Sequence, residues 1–156
     1  MTILPLSPVV SSNPSRNIMS WMDGHVSVVG AGRDGLHTHY VLHVQTSRHD
    51  ATVVVRRYSA FIQLRKYVLR SIADAHCCCG PCLLRPALEP LFDGLVLDTT
   101  HVFNTPRLVR RRMTLLGRFL DQLRDALQKC PTDTLVAMDA IGCKTAKLIQ
   151  SFLGLV

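Results

Sequence analysis

Thr52-Val53-Val54-Val55-Arg56-Arg57-Tyr58-Ser59-Ala60-Phe61-Ile62-Gln63-Leu64 is the stretch on which the fold turns. Its first half is β-branched and reads as a strand from Thr52 to Arg57. Its second half changes period. Phe61, Leu64, Val68 and Ile72 are spaced three, four and four apart, which is one face of a helix. Ser59 is the expected N-cap. A strand therefore runs into a helix with two arginines and a tyrosine at the junction.

Upstream of this stretch the pattern is β. Val26, Val28 and Val29 place a short strand within Gly24 to Ala31, and Gly32-Arg33-Asp34-Gly35 signals a turn. From Leu36 to Thr46 the chain alternates. Tyr40, Leu42 and Val44 share one face, and His39, Val41 and His43 share the other. Ser47 to Asp50 is a second turn. Three strands on short turns predict an antiparallel meander.

Downstream the pattern is helical. Leu116, Phe119, Leu123 and Leu127 form the stripe of a helix over Leu108 to Leu127. Cys130-Pro131-Thr132-Asp133 breaks it, and 134–153 forms a last helical region with Gly142 inside. Residues 76–106 hold four Cys and four Pro without a clean period and are expected to form a long loop. Strands first and helices after indicate an α+β fold. The expected plan is a flexible arm at 1–20, rich in Ser, Pro and Asn, and a single domain over 21–156.

The chain has 156 residues, 47% of them hydrophobic, enough for a substantial core. That excludes a disordered tail and a disulfide-stapled mini-protein. Its longest apolar runs fall far short of the ~20 residues of a spanning helix. The first twenty residues, with prolines at 5, 8 and 14, do not read as a signal peptide. The net charge is +7, and 14 of the 18 basic residues are Arg. A guanidinium is a planar fork of donors that matches phosphate, so this bias favours phosphate contacts. Nucleic acid, an anionic membrane or no specific partner are all compatible with the charge alone.

Several motifs mislead. Gly30-Ala31-Gly32-Arg33-Asp34-Gly35 matches G-x-G-x-x-G, but a strand follows it where a dinucleotide site needs a helix. It reads as a hairpin turn. Cys79-Gly80-Pro81-Cys82 has the four residues of a thioredoxin active site, without the strand before or the helix after. Pro86 and Pro90 are expected to break most of any helix there. Cys79 and Cys82 are also half of a zinc site, with His76, Cys77 and Cys78 beside them. Cys130 and Cys143 flank the last loop and are candidates to close it. The expected ligands are Cys79, Cys82 and Cys130, against free loop thiols as the plainer reading. His37, His39 and His43 share a strand face that reads as solvated rather than metal-binding.

Two arginines stand where apolar residues are expected. Arg57 shares a strand face with Val53 and Val55, which is expected to point toward the core. Arg112 precedes Leu116, Phe119 and Leu123 by 4, 7 and 11 residues and so heads the apolar stripe of its helix. An unpaired inward arginine costs several kcal/mol. Snorkelling at a helix end explains either residue alone, and two together suggest a shared anionic ligand.

Over Gly24 to Leu127 the chain resembles the PX (phox homology) domain. The resemblance rests on the element order and on two signatures, Arg56-Arg57-Tyr58 with Phe61, and Arg112 with Leu116 and Phe119. It implies a phosphoinositide-binding module, most often for phosphatidylinositol 3-phosphate. It implies Arg57 on the 3-phosphate, Tyr58 against the inositol ring and Arg112 on the ring hydroxyls. A lysine that the family places in the loop is missing, since no Lys lies between Gly80 and Arg112. Arg85 or Arg107 are the candidates to replace it. Leu83, Leu84, Leu91, Phe92, Leu95 and Val96 either dip into the bilayer or pack on the domain. The expected function is membrane targeting, peripheral on cytosolic faces of endosomal or vacuolar membranes, without enzymatic activity and without nucleic acid as partner. A structural zinc is the one cofactor in view. The rival readings are a PX-fold interaction scaffold with a degenerate lipid site and a thiol-redox protein using Cys79 and Cys82.

Overall fold

A computed structural model describes residues 24–46, 51–78, 80–98 and 104–155. The arm expected at 1–20 lies outside them, as does Cys79. Three antiparallel strands come first: β1 (His25–Asp34), β2 (His37–Gln45) and β3 (Ala51–Arg57), in sheet order β1-β2-β3. Five helices follow among the described residues. They are α1 (Tyr58–Ala73), α2 (Arg85–Asp93), α3 (Pro106–Gln128), α4 (Thr132–Ile141) and α5 (Lys144–Phe152). The α+β layout and the antiparallel meander are as the sequence indicates.

Alternation decides which sheet face is covered. Val26, Tyr40, Leu42, Val44 and Val54 are buried and meet the helical layer. α3 packs on β1, α1 packs on α2 and α5, and α2 packs on α3. The stripe residues Phe61, Leu64, Val68 and Ile72 of α1 and Leu116, Phe119, Leu123 and Leu127 of α3 are all buried. Edge-on aromatic pairs tie the helices to one another, Phe61 with Phe152 at 4.8 Å and Phe92 with Phe119 at 5.4 Å between centroids. Burying a Leu or Phe side chain contributes about 1.5–3 kcal/mol, so each residue of this double stripe adds measurably to stability.

Four local expectations are corrected. The first turn is the two-residue step Gly35–Leu36, because Asp34 pairs with His37 and the ladder runs through Gly30 and Gly32. A bulge between Val28 and Gly30 turns Val29 outward. α1 begins directly after β3, so its N-cap is Arg57, without a side-chain cap, rather than Ser59. The segment expected to be all loop contains α2. Pro86 sits in its first turn, where no N–H is needed, and the burial of Leu88 and Phe92 holds the short helix despite Pro90. The C-terminal region is two helices, because Gly142 adopts φ +70° and ends α4 in the left-handed conformation.

Candidate functional site

The junction of β3 and α1 meets the first turns of α3. Thr105 caps α3, its side chain accepting from the Leu108 N–H at 3.2 Å, and Pro106 opens the helix. This start brings Arg112 inward on the stripe that its spacing announces, and it is 8% exposed. Its guanidinium carbon stands 3.7 Å from the centroid of the Tyr58 ring. Nη1 donates to Asn104 Oδ1 at 2.9 Å and Nη2 to the Asp98 carbonyl at 3.3 Å, while the buried Nε has no partner. Tyr40 lies on the same buried sheet face, its ring 6.5 Å from that of Tyr58, and its hydroxyl is likewise unpartnered. Burial pushes both tyrosine hydroxyls above their ordinary pKa, and the neighbouring Arg112 guanidinium, through polar contact with Tyr40 and through its charge, partly opposes this.

Arg57 is placed differently from the expectation. Val53 and Val55, 63% and 48% exposed, show that its strand face looks outward, and Arg57 is exposed with them. The inward residue is Arg56. Its Nε donates to the Phe152 carbonyl at 3.0 Å and its Nη2 to the Ser151 carbonyl at 3.1 Å, so it binds the C-terminal end of α5. The guanidinium also lies over the Phe152 ring at 5.6 Å. The pleat sets the parity: Val54 and Arg56 point in, and Val53, Val55 and Arg57 point out. The hydrophobicity of the valines does not report their direction here.

The structure thus brings Tyr58 and Arg112 together and leaves Arg57 exposed at the strand end next to Tyr58. Arg85 is engaged by Glu89 on its own helix, at 2.8 and 3.3 Å. Arg107 is exposed in the first turn of α3. Asn104, which sequence reasoning missed, holds Arg112 and also lines a cleft of about 340 Å3 with Arg33, Thr38 and Arg110. The Thr105-Pro106 helix-start signal was available to find it. Leu84 and Phe92 pack in the core, whereas Val96 is 77% exposed two residues before Asp98.

A second cluster sits at the opposite end of α1. The Sγ atoms of Cys77, Cys78, Cys82 and Cys143 all lie within 4.8 Å of one another, and all four residues are buried. This group can hold a metal ion. Cys77 to Cys143 is 3.9 Å, Cys77 to Cys78 3.8 Å and Cys82 to Cys143 4.0 Å. Cys130, expected as a ligand, lies elsewhere and its Sγ points to the Ala126 carbonyl at 3.6 Å. Continuation of α3 through Gln128 sets it apart, and Cys143, at the N-cap of α5, takes the closing place. Burial raises the Cys77 thiol, but hydrogen bonds from Thr145 and Ser71 outweigh it and leave its pKa lowered. The Cys82 thiol is pushed up, first by its hydrogen bond with Cys143 and then by burial. His37, His39 and His43 belong to no metal-binding group among the described residues.

No protein-family model matches the chain, and no curated protein matches it in sequence. Among the described residues no helix is long and apolar enough to cross a membrane.

Proposed function

We propose that this chain is a PX-like module that binds a phosphoinositide headgroup, with phosphatidylinositol 3-phosphate as the preferred lipid. The observation that carries the reading is the state of Arg112. It is buried on the Tyr58 ring, hydrogen-bonded to two neutral oxygens, and left with an unpartnered Nε. A buried cation with only neutral partners is costly by itself, and an anionic headgroup bound alongside offsets its charge. Arg57, exposed beside Tyr58, takes the phosphate as a bidentate fork. Arg112 donates to ring hydroxyls. Because Arg112 covers one Tyr58 face, the inositol ring packs against the Arg112–Tyr58 stack rather than a bare tyrosine. Of the two candidates for the missing lysine, Arg107 is the better placed, since Arg85 is engaged by Glu89.

Membrane contact draws on Val96, exposed beside the Asp98 segment that holds Arg112, and on Lys66 in the same surface cleft. A structural zinc ion serves this reading as a staple between the entry of α2 and α5 and takes no part in headgroup contact. The scaffold reading has one observation in its favour, the outward sheet face of Val29, Val53 and Val55. The thiol-redox reading is disfavoured by Cys82, whose thiol is buried and resists ionisation. A vesicle panel with single phosphoinositides, plus phosphatidylserine vesicles and an RNA as controls, tests the proposal. Selective binding to a phosphoinositide supports it. Equal binding to phosphatidylserine and RNA reduces the site to general basic charge.

A further inference from the structure

We infer that Cys77, Cys78, Cys82 and Cys143 bind one zinc ion as a closed four-thiolate site. The site stands independently of the headgroup reading.

Distances carry the first argument. Four sulfurs at the ~2.3 Å zinc–sulfur distance of a tetrahedral site are ~3.8 Å apart along each edge. Three of the sulfur pairs stand at 3.8, 3.9 and 4.0 Å, and the rest fall within 4.8 Å. A disulfide needs about 2.05 Å, and no pair is drawn together as a bonded one. The donor set carries the second argument. It is all sulfur, without carboxylate or imidazole, which excludes hard cations and selects zinc or iron. The separations suit a single ion. All four thiols are buried, so the site is closed, as structural zinc sites are, with no position for a reacting water.

The sulfurs have polar neighbours. The Thr145 hydroxyl lies 3.4 Å from both Cys77 Sγ and Cys82 Sγ and 2.8 Å from Ser71 Oγ. Backbone N–H groups of Thr145, Leu83 and Leu84 stand against Cys77, Cys78 and Cys82 respectively, while burial and neighbouring thiols keep Cys78 and Cys82 protonated until a cation displaces their protons. Cys143 is the N-cap residue of α5, and its sulfur is turned to Cys77 and Cys82. Such outer contacts orient ligands and spread their charge. Binding is a ligand exchange without oxidation. Four S–H bonds break, four Zn–S bonds form, and four protons pass to solvent.

The ligands come from three places: the turn after α1, the entry to α2 and the N-cap of α5. A single ion therefore fastens the segment entering α2 to the C-terminal helix, across sixty residues between Cys82 and Cys143. The ion acts as a cross-link that binds the native state alone and adds stability by mass action.

The test uses the full chain, purified without a His-tag and exposed to zinc. One equivalent by elemental analysis is expected, with four of the six thiols protected from alkylation and a melting temperature that falls on chelation. Cys143→Ser should lose the metal, whereas Cys130→Ser should keep it. Cobalt added to the metal-free wild-type chain should give the absorption of tetrahedral thiolate coordination, a readout that needs no variant to fold. Zinc below about 0.2 equivalents, with all six thiols reacting alike, overturns the site. Iron in place of zinc overturns the choice of ion, and a mass two hydrogens short in native protein shows a disulfide and overturns both.

Discussion

The Arg112 guanidinium stacks 3.7 Å above the ring of Tyr58, so the first residue of one helix and an inward residue of another form a single buried cation–aromatic unit. Its second support is polar, from Asn104 and the Asp98 carbonyl. A desolvated cation–π contact contributes about 2 kcal/mol, and a charged hydrogen bond about 1.5–3 kcal/mol. Arg112→Ala should therefore lower the melting temperature by several degrees. Arg112→Lys keeps the charge but loses the fork and should recover only part of the loss. Thermal denaturation measures both. An unchanged melting temperature in Arg112→Ala would show a side chain that only snorkels.

Arg56 and Arg57, adjacent in sequence, should fail in different ways. Arg56 donates to the Ser151 and Phe152 carbonyls and anchors the end of α5. Arg56→Ala should cost about 1.5–3 kcal/mol in denaturant unfolding and speed amide exchange in α5. Lipid binding per folded molecule should be retained. The account of Arg56 as an anchor fails if stability is unchanged.

These two arginines show what the sequence can and cannot tell. The strand, the helix and the buried stripes of Phe61 and Leu116 were legible because periodicity reports which side chains align. Arg112 was legible for the same reason. Alternation places Val53, Val55 and Arg57 on one face, but it does not say which face the helices cover, and valine on an open sheet face reversed the expectation. Helix α2 was hidden because Pro86 suits a first turn while Pro90 argues against any helix. The cysteine cluster was half legible. Cys79 and Cys82 have the familiar spacing, yet Cys82 joins Cys77, Cys78 and Cys143, which only tertiary packing brings together.

Two glycines should respond with opposite sign. Gly154 has φ +69°, and a Cβ there would stand 2.7 Å from Val54 Cγ2. Gly154→Ala should destabilise by about 1 kcal/mol or more. Gly117 lies within α3, and a Cβ there meets nothing within 4 Å. Gly117→Ala should stabilise by up to about 1 kcal/mol. Chemical denaturation of the pair reads both, and equal shifts would contradict the packing described for Gly154.

If Arg57 and Arg112 contact one headgroup, their losses are coupled. The double variant Arg57→Gln with Arg112→Lys should bind vesicles more tightly than the product of the single effects predicts. Strict additivity would place the two residues on separate ligands or leave one without a ligand.

The most direct test of the central claim is vesicle binding by wild type and Arg57→Gln at matched surface charge, with phosphatidylinositol 3-phosphate against phosphatidylserine. Arg57 is exposed, so the variant should keep its circular dichroism and melting temperature. Loss of a charged phosphate pair, about 1.5–3 kcal/mol, should weaken binding to the phosphoinositide vesicles by about tenfold or more and leave the weak phosphatidylserine binding nearly unchanged. A wild-type chain that does not distinguish the two vesicles, or an Arg57→Gln chain that binds the phosphoinositide as tightly as wild type, would contradict the account.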